Sequence, residues 1–167
     1  MPAKSWDSYK DTLYEVLAEI KPRYVLEFGT GLSTEIISAQ VEALESVEHD
    51  WEYYKKAQEN ARPNTHIIYE PNLDLYAQHI PQFRPELVFV DGRNRARCLR
   101  EVRRYGCPVI LHDAGREQYR EAAEIYRHAV WTDQGETVVL CDDQATHGRL
   151  LKCLAPYLHP AHTDLTA

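Results

Sequence analysis

The stretch RYVLEFGTGLS, which begins at Arg23, constrains the fold more than any other part of the chain. Its first half predicts a buried strand, the glycines Gly29 and Gly31 predict a tight turn, and residues 32–42 predict a helix. Backbone N–H groups in such a turn can approach a ligand closely, and the start of the helix adds a partial positive charge. Strand, turn and helix together predict a nucleotide pocket.

An acidic residue, Glu27, stands in this otherwise apolar strand. Burying a carboxylate is costly unless it meets a cation or several hydrogen-bond donors. We therefore expect Glu27 to face a ligand that carries positive charge. The alternative is an ordinary strand-to-helix turn with a surface glutamate.

Length and composition favour a single globular domain. The chain has 167 residues, of which 44% are hydrophobic and 27% charged, which is enough to bury a sizeable core. We place the domain at residues 1–145, including an amphipathic N-terminal helix, and expect a short helix and a tail in residues 146–167.

The net charge of −7 argues against binding to nucleic acid or anionic membranes. No apolar run approaches about 18 residues and the start lacks a signal pattern, so we expect a cytoplasmic protein.

Strand and helix patterns alternate along the chain, which predicts an α/β fold. We expect a three-layer αβα Rossmann-like sheet, mostly parallel, with a C-terminal antiparallel hairpin. Predicted strands cover residues 24–28, 44–48, 66–69, 87–90 and 108–111, predicted helices cover 32–42, 51–61, 72–80, 94–105, 116–127 and 148–154, and the hairpin pairs 128–131 with 136–141.

Acidic residues close four of the predicted strands: Glu27, Glu48, Asp91 and Asp113. Ligands of such sheets bind beyond the carboxyl ends of the strands. Glu48 lies 19 residues after Gly29, close to the spacing at which an acid accepts both ribose hydroxyls in dinucleotide folds. The alternative places Glu48 at the edge of a solvated loop. An adenosine is common to NAD and S-adenosylmethionine, so this spacing does not separate them.

The first turn does separate the two cofactors. A dinucleotide fingerprint needs glycine at position 34, where this chain has Thr34, and Glu27 would repel a pyrophosphate. S-adenosylmethionine instead carries an ammonium and a sulfonium group. The turn therefore favours S-adenosylmethionine.

Four segments resemble the motifs of class I S-adenosylmethionine-dependent methyltransferases: LEFGTGLST the first motif, SVEHD the second, and LVFVDGR and VILHDA those of the fourth and fifth strands. The first motif is similar to that of small O-methyltransferases with an ExGxGxST turn. The resemblance implies a cofactor site of Glu27 at the methionine amino group, Gly29, Thr30, Gly31 and Ser33 along the cofactor backbone, Glu48 at the ribose, His49 and Asn72 at the adenine, and Asp91 between cofactor and substrate.

Three residues are candidates for catalysis: Asp91, His112 and Asp113. They end adjacent predicted strands, about 5 Å apart by strand spacing. Two carboxylates so close repel unless they share a proton or a cation. Asp91 and Asp113 could hold Mg²⁺ or another divalent metal that acidifies a substrate hydroxyl. Without a metal, His112 is the general base; alternatively, His112 only packs beside the strand end.

Six arginines lie between residues 93 and 104, and helical spacing places most of them on one solvated stripe. Arg93 and Arg95 differ because they lie at the start of the helix, beside Asp91. Either could bind an acidic group of the substrate. The alternative is that they neutralise the acidic residues.

The sequence thus predicts a methyltransferase that uses S-adenosylmethionine to methylate oxygen of a small molecule or sugar. Little chain is left for a lid, so a homodimer could complete the site. Two other functions stay open, an NAD(P)-dependent oxidoreductase and a non-catalytic nucleotide-binding module.

Overall fold

The strands form one sheet in the order β3-β2-β1-β4-β5-β7-β6, in a computed structural model that describes residues 8–160. Strands β1 to β5 run parallel, and β7 runs antiparallel between β5 and β6. The strands are β1 Tyr24–Phe28, β2 Ala43–Glu48, β3 Thr65–Tyr69, β4 Leu87–Val90, β5 Val109–His112, β6 His128–Thr132 and β7 Thr137–Cys141.

Seven α-helices connect and cover the strands within the described residues. They are α1 Lys10–Ile20, α2 Leu32–Ser38, α3 Trp51–Asn60, α4 Leu73–Ala77, α5 Arg95–Val102, α6 Glu117–Ala123 and α7 Gln144–Cys153. None of the helices in residues 8–160 is long and apolar enough to cross a membrane.

Each face of the sheet carries its own core, because the strands are apolar on both sides. On one face Leu26, Val88 and Leu111 pack with buried residues of α5 and α6. On the other face Phe89 and Ile110 pack with buried residues of α1, α2 and α7. The predicted three-layer αβα fold with a terminal antiparallel pair is confirmed.

Several predicted helix bounds are wrong. Helix α2 ends at Ser38 rather than at residue 42, α4 covers only residues 73–77 and α6 ends at Ala123 rather than at 127. The last helix is longer than predicted and begins at Gln144, because Asp143 caps it by accepting a hydrogen bond from the Thr146 N–H. It starts before residue 146, where we expected a separate C-terminal segment, and buries Leu150 in the core. The start of the predicted N-terminal helix, at Trp6, lies outside the described residues.

Candidate active site

The turn after β1 is built on contact between two glycines. Gly29 has φ of +91°, and a Cβ there would lie 2.7 Å from Cα of Gly92, in the turn after β4. Glycine is therefore required at position 29 by backbone packing as well as by its dihedral angle. Gly31 differs, because a Cβ there would meet no atom of residues 8–160 within 4 Å. Open space beside Gly31 is the part of the turn where a ligand can lie.

Glu27 is fully buried at the end of β1. Its carboxylate accepts hydrogen bonds from the hydroxyls of Ser33, Thr34 and Ser46. Burial raises its pKa to about 7, and the three hydroxyl bonds act against that rise. Three hydroxyl donors thus satisfy Glu27 in this structure. Its burial rules out the alternative of a surface glutamate, and its contact with a ligand stays a prediction.

Glu48 is also buried, with 3% of its surface exposed, so it is not at the edge of a solvated loop. One oxygen accepts from the Thr30 N–H at 2.7 Å and the Thr30 hydroxyl at 2.8 Å. The other accepts from the N–H groups of His49 and Asp50 at 2.8 and 2.9 Å. Glu48 therefore fastens the glycine turn to the start of α3. A ribose hydroxyl that binds Glu48 would have to replace the Thr30 hydroxyl as a donor.

Two further predicted cofactor residues lie near this turn. The His49 ring is partly exposed, and its centroid lies 6.0 Å from that of the Tyr76 ring. Asn72 caps α4 by accepting from the N–H groups of Asp74 and Leu75. Their contacts with an adenine stay predictions. We call the surroundings of Glu27 and Glu48 the glycine-turn half of the site.

Asp91, His112 and Asp113 come together at the ends of β4 and β5. One ligand atom from each lies within 4.8 Å of the others. Nδ1 of His112 is 2.9 Å from Oδ1 of Asp91, and its Nε2 is 3.2 Å from Oγ of Ser8. A carboxylate bound to one imidazole nitrogen leaves the other free to accept a proton. We call Asp91, His112 and Asp113 the dyad half of the site, after the Asp91–His112 pair.

Arg95 balances the acids of the dyad half. It is 7% exposed and donates to the backbone carbonyls of Asp91, Gly92 and His112. Its nitrogens also lie 3.3 Å from carboxylate oxygens of Asp91 and Asp113. These contacts favour the alternative role, in which Arg95 neutralises the acids, and its contact with substrate stays a prediction. Arg93 is exposed, and its predicted contact with substrate stays a prediction.

The donor set of the dyad half resembles a metal site, since it offers two carboxylates and an imidazole. Its charge is already balanced, however. Arg95 lies against both carboxylates, and Arg116 lies 2.8 Å from Asp113. Arginines thus occupy the role that a divalent cation would have, so the residues present do not require a metal for charge balance.

Sequence reasoning missed several residues of the site. Tyr9 is 3% exposed, and its ring stands edge-on to that of His112 with centroids 4.9 Å apart. Burial and the nearby Asp91 carboxylate raise the pKa of Tyr9. The hydroxyl of Tyr76 is buried and lies close to where a Cβ of Gly92 would be. Both tyrosines fit the apolar helix patterns, so the sequence marks them only as core.

Several solved structures with a similar fold are described as methyltransferases, at low sequence identity. A methyltransferase-like protein from Silicibacter pomeroyi has a TM-score of 0.61 and 17% identity, over 91% of this chain and 96% of that one. The O-methyltransferase TomG from Streptomyces achromogenes was solved in complex with S-adenosylmethionine. It has a TM-score of 0.60 and 15% identity, over 86% of this chain and 84% of that one. The N-methyltransferase NodS from Bradyrhizobium japonicum has a TM-score of 0.56 and 14% identity, over 83% of this chain and 97% of that one.

Searches with protein-family models and against curated sequences find no match. Identities of this size establish the fold and leave the reaction to be argued from the site. The strand order, with its antiparallel β7, agrees with the resemblance drawn from the sequence motifs. The solved structures with a similar fold agree with it as well. The chain therefore has the fold of the class I S-adenosylmethionine-dependent methyltransferases.

Proposed function

We propose that this protein is an S-adenosylmethionine-dependent methyltransferase that methylates oxygen of a small molecule or sugar. One observation carries the proposal: two buried carboxyl groups, Glu27 and Glu48, adjoin a histidine positioned to accept a proton. Among the described residues, no lysine or arginine pairs with Glu27 or Glu48. A cofactor with ammonium and sulfonium groups supplies the missing positive charge.

The residues of the glycine-turn half fit this cofactor in two respects. The open space beside Gly31 admits a ligand along the turn, and Glu27 offers a carboxylate that ionises more readily once a cation is near. When bound, the cofactor would supply an electrophilic methyl group on sulfur. Binding requires that Thr30 give up its hydroxyl bond to Glu48 in favour of the ribose.

The dyad half supplies the chemistry on the acceptor side. Transfer to oxygen is an in-line displacement, so the protein has to orient the acceptor and take its proton. Asp91 holds Nδ1 of His112, which directs Nε2 toward the acceptor and stabilises the imidazolium that forms. Tyr9, which is nearly fully buried, covers the His112 ring and limits access of water.

We assign the proton to His112 rather than to a metal-bound acceptor because Arg95 and Arg116 already balance the two aspartates. A divalent metal on Asp91 and Asp113 would have to displace both arginines. The NAD(P) alternative is not favoured. Dinucleotide folds have the parallel order 3-2-1-4-5-6, whereas β7 is inserted antiparallel beside β5 here.

Calorimetry tests the proposal with three ligands: S-adenosylmethionine, its demethylated product and NAD. We expect binding of the first two and none of NAD. The variant Glu27→Gln should weaken S-adenosylmethionine binding by about 10- to 100-fold, the effect of losing one charge-assisted hydrogen bond. Glu52→Gln, on the exposed face of α3, is the matched control and should bind normally. Binding of NAD alone would overturn the proposal, and binding of none of the three would favour a non-catalytic module.

A further inference from the structure

The nitrogen that should accept the proton already holds a hydroxyl. Oγ of Ser8 lies 3.2 Å from Nε2 of His112, while Asp91 holds the other ring nitrogen. A hydroxyl at that distance has the geometry that a general base needs toward the group it deprotonates. Ser8 therefore marks a position for an acceptor oxygen.

We propose that the methyl acceptor is an alcohol or phenol whose hydroxyl replaces Ser8 Oγ on Nε2 of His112. This inference rests on the proposed methyltransferase function and names its substrate class. The site next to Nε2 is lined by Ser8 and by the ring of Tyr9, and a neutral hydroxyl suits both.

The charges around His112 select against an amine. An alkyl amine is protonated near neutral pH, with a pKa of about 10, and would need a free carboxylate as partner. Asp91 is engaged by His112 and Arg95, and Asp113 by Arg95 and Arg116. A carboxylic acid is equally unsuited, because it is ionised at neutral pH and has no proton to give to Nε2.

Ser8 is placed so that it can leave without unfolding α1. It precedes the first helical residue, Lys10, and the N-cap, Tyr9, makes no side-chain capping bond. Tyr9 itself is anchored, since it is 3% exposed and its carbonyl accepts from the Leu13 N–H at 2.8 Å. Displacement of Ser8 Oγ from Nε2 therefore does not require Tyr9 to leave the His112 ring.

The test compares wild-type protein with Ser8→Ala and Ser8→Thr. Nitrogen NMR of the histidine side chains reports hydrogen bonding at Nε2 of His112, and the exposed His66 gives an internal reference. Benzyl alcohol and benzylamine are the probes, since they share one skeleton. We expect benzyl alcohol to bind Ser8→Ala about 3- to 10-fold more tightly than wild type, because no serine hydroxyl has to be displaced. Ser8→Thr, which keeps a hydroxyl, should restore the weaker binding.

Two results would overturn the acceptor assignment. Equal affinity of benzyl alcohol for wild type and Ser8→Ala would show that Ser8 does not hold the acceptor position. A larger shift of the His112 Nε2 NMR signal with benzylamine than with benzyl alcohol would show that the acceptor is an amine rather than an alcohol or phenol. Calorimetry with S-adenosylmethionine on the same samples separates the two proposals. Normal cofactor binding with equal benzyl alcohol affinities overturns the acceptor site alone, whereas absent cofactor binding overturns the proposed function and the acceptor class with it.

Discussion

The two halves of the site satisfy their buried acids in opposite ways. In the glycine-turn half Glu27 and Glu48 accept from hydroxyls and backbone N–H groups, and Nδ1 of His49 lies 2.9 Å from Glu48. In the dyad half Asp91 and Asp113 lie against the guanidinium groups of Arg95 and Arg116. Within residues 8–160, arginines therefore pair with the acids of the dyad half, and no lysine or arginine pairs with those of the glycine-turn half.

This difference indicates which ligand belongs to which half. A cationic ligand gains most where no protein cation competes for the carboxylate. A neutral ligand gains most where the charges are already paired and only a hydrogen-bond acceptor, Nε2 of His112, is offered. These charges are consistent with the proposal that a charged methyl donor binds in one half and an uncharged acceptor in the other.

The largest expected effect is on the dyad half. Replacing His112 with Gln removes the group that accepts the proton, and we expect the rate of methyl transfer to fall by about 10²- to 10⁴-fold. Affinity for S-adenosylmethionine should change far less than the rate, since the proposed contacts of its amino group and ribose, Glu27 and Glu48, lie in the glycine-turn half. Transfer of a labelled methyl group to alcohols and sugars measures the rate, with His66→Gln as control. A rate near that of wild type would place the proton acceptor elsewhere.

Removing Arg95 should leave the acids of the dyad half without a buried arginine, as those of the glycine-turn half already are within residues 8–160. Arg95→Met leaves two aspartates without their buried partner, and we expect the free energy of unfolding to fall by about 3 to 5 kcal/mol. Urea denaturation measures the loss. Arg100→Met, at an exposed position of the same helix, should change stability by less than about 0.5 kcal/mol. Equal effects of the two substitutions would contradict the charge pairing assigned to Arg95.

The buried Glu27 of the glycine-turn half should make the free energy of unfolding depend on pH. Glu27 has a folded-state pKa of about 7, above its ordinary value of 4.5, so the unfolded chain releases this proton first as the pH rises. The free energy of unfolding should therefore fall between pH 4.5 and 7, by on the order of 3 kcal/mol. Glu27→Gln should lack this part of the pH dependence. Denaturation curves at several pH values measure it, and parallel profiles for the two proteins would contradict the assignment.

The smallest expected effect is that of a chelator. If arginines take the place of a metal in the dyad half, EDTA should leave the rate of methyl transfer unchanged, and added Mg²⁺ should not raise it. The same transfer assay measures both. A loss of activity that Mg²⁺ restores would assign Asp91 and Asp113 to a metal and would make the two halves alike in needing an added cation.

Sequence patterns sufficed to find the strands and the acids near their ends. Apolar runs such as residues 87–90 indicate a buried strand, and parallel strands bring their carboxyl ends to one side. Helix ends were less predictable. The end of α2 at Ser38 depends on where the chain can turn back into β2, and helical periodicity does not record that.

The partners of the site residues could not be predicted, because they come from distant parts of the chain. Ser46 lies 19 residues from Glu27, and Ser8 lies 104 residues from His112. Small hydroxyl residues are common on any surface and carry no signal until the fold places them beside a carboxylate or an imidazole. The sequence leaves two roles open for Arg95, and its burial beside the aspartates favours the neutralising one.

The contact between Gly29 and Gly92 joins the two halves mechanically. The turns after β1 and β4 touch through backbone atoms, and the Asp91 N–H donates to the Phe28 carbonyl at 3.0 Å. A donor that shifts the first turn must therefore move the backbone beside Asp91, and with it the hydrogen bond to His112. The affinities for donor and acceptor should accordingly be coupled, each ligand changing the other's binding by the same factor. A side chain at position 92, even a methyl group, would separate the turns and uncouple the two binding events.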